Sequence, residues 1–150
     1  MHLSKYKSSD VVPGDLQIAV DTGVTVGSFI AVRDDEDDVR CHVAKVIDIT
    51  DEHTKLHYYG TKGRRLRGAK WVSLFHHPGT NEVIQHETNH AYVRNWAMYT
   101  GTIETRSLDD SLIVLANLGL NPSMRLNAAT RRLLERTKYK HHVMGRTWQN

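Results

Sequence analysis

The sequence predicts a mainly β domain with some α: a small antiparallel β-barrel or meander followed by two C-terminal helices. Three observations predict it. Between Gly27 and Phe75, four short stretches rich in β-branched and aromatic residues alternate apolar and polar side chains. Polar turns separate them at a spacing of about 12–15 residues, the rhythm of a small all-β fold. Beyond Arg106 the apolar residues recur every three or four positions, which is a helical period.

The elements follow in order. Residues 1–26 read as an arm: "SSDVVPGD" is turn-forming, and "LQIAV" (Leu16–Val20) is one short strand. The first regular strand is "SFIAVRD" (Ser28–Asp34). "DDEDD" (Asp34–Asp38) must be a turn, because adjacent carboxylates repel one another in paired strands. "RCHVAKVIDIT" (Arg40–Thr50), "KLHYYG" (Lys55–Gly60) and "AKWVSLF" (Ala69–Phe75) complete the series. Pro78-Gly79 marks a further turn, and "HAYVRNWAMYTG", with Tyr92, Trp96 and Tyr99, reads as an extra strand. Ser107 and Asp110 resemble a capping box ahead of Leu108, Leu112, Leu115 and Leu118, with Gly119 as the stop, so a helix is expected there. A second helix is expected from about Asn127, with Leu126, Ala129, Leu133 and Thr137 along its apolar face. The division is an arm over 1–26, a barrel with extra strand over 27–104 and a basic helical extension over 105–150.

Composition bounds the function. A chain of 150 residues with 39% hydrophobic and 25% charged residues suits a single globular domain. No apolar run approaches the ~20 residues of a membrane span, and the N-terminus lacks the apolar core of a secretory signal. Cys41 is the single cysteine, so no internal disulfide can form. A reducing compartment, nuclear or cytoplasmic and not secreted, is the expectation. Cys41 sits in a strand pattern, where a buried, inert thiol is expected.

The net charge of +3 is unevenly laid out. From His53 to Asn81 there are six Lys and Arg and no acid, and from Leu120 to Asn150 seven bases against Glu135 alone. Segregated charge of this kind points to a polyanionic partner. The densest cluster, Lys62, Arg64, Arg65 and Arg67, is interleaved with Gly63 and followed by Gly68 on the turn between the third and fourth strands, with Lys70 just beyond. Glycines let a turn approach a surface closely, and arginines engage phosphate in bidentate fashion.

The strand series "VGSFIAVRD…HVAKVIDI…KLHYYGTK…AKWVSLF" resembles the chromo-barrel and Tudor group of SH3-like barrels. The matches are Gly27, Ala44-Lys45-Val46, His57-Tyr58-Tyr59-Gly60 and Trp71-Val72, in order from Gly27 to about His77. The resemblance implies an SH3-like, chromo-type barrel that holds methylated lysine or nucleic acid, and barrels of this kind also occur in integrases and retroelement polyproteins. It places a peptide-binding cage at His42, Tyr58 and Trp71. Histidine stands at one cage position and Thr61 at another, so two aromatic rings remain where a cation needs three or four. Tyr58 and Trp71 are therefore read first as covering the barrel mouth and only second as a cage.

The functional expectation is therefore a non-enzymatic module binding chromatin or nucleic acid, DNA or RNA. Lys62, Arg64, Arg65, Arg67 and Lys70 supply one set of phosphate contacts, and Arg131, Arg132 and Arg136 on the second helix another. The alternative is a histone-tail reader. The basic end of the chain also suits a segment of a larger polyprotein or complex. No membrane partner is expected.

One motif points elsewhere. "HETNH" (His86–His90) is a literal H-E-x-x-H, which on a helix would place two zinc ligands beside a general base. On a strand, His86 and His90 would share a face while Glu87 points away. Glu104 is the nearest third ligand, and the pairs His76-His77 and His141-His142 lack cysteine spacing. The sequence is thus read as carrying no cofactor and no metal, with a zinc peptidase as the least favoured reading and His86 and His90 as its ligands.

Overall fold

The computed structural model describes residues 23–61, 65–85 and 96–141. They form a mainly antiparallel β domain with one α-helix. Strands β1 (Phe29–Arg33), β2 (Arg40–Ile49), β3 (Thr54–Gly60) and β4 (Val72–His76) fall on the four predicted stretches. They pair as consecutive antiparallel neighbours, with Ala31 opposite Val43, Val43 opposite Tyr59 and Tyr59 opposite Ser73. The acidic run is a turn, as its repulsion requires. Asp34 Oδ1 accepts from the backbone N–H of Glu36 at 2.7 Å and of Asp37 at 2.9 Å.

Beyond β4 come β5 (Val83–Gln85), β6 (Thr100–Gly101) and β7 (Ile103–Arg106), then β8 (Ile113–Leu115), helix α1 (Ala128–Glu135) and β9 (Lys140–His141). The sheet runs β5-β4-β3-β2-β1-β8 and, among the described residues, does not close into a barrel. Between β3 and β4 it splays. Those strands pair only at Tyr59–Ser73 and Gly60–Val72. Beyond that point β7 takes the edge of β3 and β6 the edge of β4. Thr102 sits at the fork, accepting from Tyr58 N at 3.0 Å and donating to Leu74 O at 2.9 Å.

Alternation sends the strand residues to two cores. Ile30, Val32, Ala44, Val46 and Leu56 bury on one face beneath Val24 and Leu108. Ala31, Cys41 and Val43 bury on the other beneath Trp71, Leu118 and Leu134. Burial pushes the Cys41 thiol up to about 12, so it is inert at neutral pH, as expected.

The last third departs from expectation. One α-helix is present among the described residues where two were predicted. Residues 107–119 hold a 3-10 turn at Asp110–Leu112 and strand β8, which pairs with β1. The reason lies in the leucines: Leu108 and Leu112 serve one core, Leu115 and Leu118 the other. A helix would have set all four on one side. Asp109, not Ser107, caps the turn by accepting from Ser111 N at 2.9 Å. The predicted extra strand is short, since Trp96–Met98 is a 3-10 turn and only Thr100–Gly101 is extended; residues 90–95 lie outside the described set.

Helix α1 starts where predicted, with the Asn127 side chain accepting from Thr130 N at 2.8 Å. Its buried stripe is Thr130 and Leu134 rather than Ala129 and Leu133; Leu134 is 0% exposed and Leu133 49%. Both leucines fit an amphipathic pattern, and the tie of the Asn127 backbone N–H to Gly119 O at 2.8 Å fixes which one turns inward.

Candidate nucleic-acid interface

The turn after β3 and the segment after α1 meet at one place. Arg65, Leu66 and Arg67 come from the turn, Glu135, Tyr139, Lys140 and His141 from the helix end and β9, and Arg40 from the start of β2. Together they line a groove of about 620 Å³. Several local features hold it. Gly68, at φ +77°, lets the turn close so that Ala69 N donates to Leu66 O at 3.2 Å. Leu66 then packs on the core of Trp71 and Leu134. Trp71 N donates to Met124 O at 2.9 Å and Arg125 Nε to Gly68 O at 3.2 Å, tying the turn to the loop ahead of α1. On the far side β9 runs parallel to β2, with Lys140 beside Arg40 and Lys140 N donating to Val39 O at 2.8 Å.

The groove holds four Lys and Arg side chains and one acid. That acid, Glu135, is engaged by Arg131 at 3.1 Å. Arg40 also contacts Asp37 at 3.2 Å, a half-exposed pair that contributes little to stability. The balance of charge is positive on a concave surface, with Tyr139 supplying an aromatic wall.

The expected phosphate ligands divide accordingly. Arg65 and Arg67 line the groove; Lys62 and Arg64 lie outside the described residues. Lys70 is exposed and its backbone bridges to Arg125. Arg131 is spent on Glu135, and Arg132 on α1 and Arg136 at its C-cap are exposed outside the groove lining. Arg40, Tyr139, Lys140 and His141 were not among the expected site residues. Arg40 borders the acidic run and reads as its counter-ion. Lys140 belongs to a visibly basic tail, but nothing local in "KYKHH" announces pairing with a strand so far upstream.

A second concavity, about 340 Å³, opens on the opposite face. His42 and Tyr58 line it with their rings 5.9 Å apart, together with Asp34, Asp35, Glu36 and Glu104. His42 Nε2 lies 2.5 Å from Asp34 Oδ2, and the Tyr58 hydroxyl donates to Glu104. Burial, then that bond to a carboxylate, pushes the Tyr58 phenol well above its ordinary range. Arg106 donates to Asp35 at 2.7 Å and lies 3.5 Å from Glu104. Of the three expected cage residues the structure thus joins His42 and Tyr58. Trp71 is elsewhere: it is 1% exposed in the core beneath α1, its ring against His141. Strand parity explains this, since Tyr58 points to one face of the sheet and the Trp71 ring packs on the other. Thr61 is buried.

His86 and His90 lie outside the described residues. Glu104, named as a third zinc ligand, is engaged by Tyr58 and Arg106. Among the described residues no three His, Cys, Asp or Glu side chains converge as metal ligands. No helix among them is long and apolar enough to cross a membrane. Comparison with protein-family models, with curated proteins and with solved structures finds no match for the chain.

Proposed function

We propose that the chain is a non-enzymatic module that binds nucleic acid through the basic groove. One observation carries the reading: Arg65 and Arg67, Arg40, and Lys140 come from three separate parts of the chain and converge on one concave surface whose lone acid is already paired. Four cations on one rim, two of them on a glycine-bounded turn, suit the phosphate backbone, which binds largely through charge. The consecutive β1–β4 meander and the four matched motifs support assignment to the SH3-like, chromo-type group, and a place in chromatin or in a retroelement or integrase polyprotein follows from that assignment.

The test is fluorescence anisotropy with labelled DNA and RNA over a salt series. Four phosphate contacts give a slope of log affinity against log salt of about −3. The double variant Arg65→Ala, Arg67→Ala should weaken binding and cut that slope by about half. Absence of binding at low salt rejects the reading.

A second reading rests on the acidic concavity. His42 and Tyr58 present rings beside four carboxylates, which suits a cationic side chain of a basic peptide such as a histone tail. Titration with lysine-methylated and unmodified basic peptides, with Tyr58→Ala as control, decides it.

A further inference from the structure

The sheet face that carries α1 also carries a continuous run of aromatic rings. Phe29 meets Tyr59 at 5.0 Å between ring centres, Tyr59 meets His57 at 5.6 Å, and His57 meets Phe75 at 5.5 Å. Phe75 meets Trp96 at 5.4 Å, and Trp96 lies nearly parallel to Tyr99 at 5.9 Å. All six are half-buried. Strand alternation puts Phe29, His57 and Tyr59 on one side. Lys45 lies between Phe29 and His57 in the same cross-strand row, and Lys55 shares that side two residues before His57.

The run lies where the core meets the surface: Phe29 and Tyr59 pack on one core, Phe75, Trp96 and Tyr99 on Leu74 and Ile84, and every ring keeps part of its area exposed. His57 is pinned, its Nε2 donating to Leu74 O at 3.0 Å, and its ring lies over Gly101, where an added Cβ would come within 3.4 Å of Nε2. Four rings on strands, with Trp96 and Tyr99 beside them and two lysines along the flank, are chemically matched to bases, each with a π-face, on a charged backbone. The run also adjoins the groove. Phe29 and Tyr59 pack against the same core as Leu66 and Tyr139 of the groove wall. Cys41, paired with β9 at the groove, and Lys45 in the run are four residues apart on β2, about 13 Å at the rise of a strand. An extended strand of nucleic acid covers that in about two nucleotides.

We propose that this aromatic run is a base-stacking platform, and that the ligand is single-stranded nucleic acid rather than duplex; the inference rests on the groove being a phosphate site. Phosphates occupy the groove, and the bases that follow lie on Tyr59, His57 and Phe75 towards Trp96. A duplex keeps its bases stacked inside and offers the platform nothing.

The experiment compares three labelled ligands of about 12 nucleotides, within the site size of small single-strand binders: oligothymidine, an abasic phosphodiester of equal length, and a duplex. Oligothymidine should bind at least about tenfold more tightly than the abasic strand, since stacking contributes per base. Trp96→Ala and Tyr59→Ser should each narrow that gap, and thymidine binding should quench the fluorescence that Trp96→Ala removes. Equal, salt-dependent binding of the thymidine and abasic strands would overturn the platform while leaving the groove reading intact. A gap that neither variant narrows would overturn it too, because the bases would then stack elsewhere. If no strand binds, the groove reading fails and the platform with it.

Discussion

Asp34 binds three donors at once. Its Oδ1 closes the acidic turn through the backbone N–H groups of Glu36 and Asp37, and its Oδ2 meets His42. Partial burial works to raise its pKa, but the bond to His42 and the two backbone donors outweigh it and hold the carboxyl at about 2, against an ordinary value of 3.8. The sign follows. A carboxyl depressed on folding stabilises the native state at every pH above its ordinary value, and that contribution is lost as pH falls from about 4 to about 2. Urea unfolding at stepped pH should show stability falling through that window in the natural protein and a flatter profile in Asp34→Asn. Asp34→Ala removes all three bonds and should cost about 1–3 kcal/mol even at pH 7. At this scale the sequence was informative about residue type and weak about company. It marked His42 and Tyr58 as neighbours in function, and they share a concavity. Trp71 carried an equal aromatic signal and is a core residue, because which face a side chain reaches depends on partners far along the chain.

Helix α1 illustrates what an element's pattern can and cannot tell. Its start is legible from Asn127 alone. Its inward face is not, because Leu133 and Leu134 are adjacent and either could lead an apolar stripe. The structure resolves this through packing against Trp71, so Leu134→Ala should cost about 2–5 kcal/mol and Leu133→Ala less than about 0.5 kcal/mol, read as midpoint shifts in denaturant titrations. Gly119 is the other half of the joint. A Cβ there would stand 1.9 Å from Asn127 Nδ2 and 3.0 Å from Thr130 Oγ1, the acceptor of the Gly119 N–H. Relief requires moving the capping side chain, so Gly119→Ala should lose at least the cap, about 1 kcal/mol or more, with reduced helical signal in circular dichroism. The segment before Gly119 misled for a related reason. Leucines three and four apart satisfy a helix, yet Ile113-Val114 beside an open strand edge satisfies a sheet, and only the free side of β1 decides between them.

Across the whole molecule, order is concentrated at the centre of the sheet. β2 is bordered by β1 and β3 over most of its length, whereas β5 and β6 are short and attach only to β4 beyond the fork at Thr102. Amide exchange should therefore be slowest for Val43, Ala44 and Val46 and fastest, among strand residues, for β5 and β6. The meander β1–β4 was legible because its contacts are local and its turns are polar. The splayed fork, the β1–β8 edge and the groove were not, because each depends on segments distant in the chain.

The parallel pair of β2 with β9 carries a consequence for assembly. It joins Arg40 to Lys140, positions about a hundred residues apart, so it is the costliest contact in the sheet to close and belongs late in folding. During synthesis the meander can form while α1 and β9 are still to come, leaving the upper edge of β2 open. The groove is therefore absent from a nascent chain that has not yet reached β9. On the proposed reading, polyanion binding begins only once β9 has been made, and a half-made copy does not compete for the ligand with a finished one.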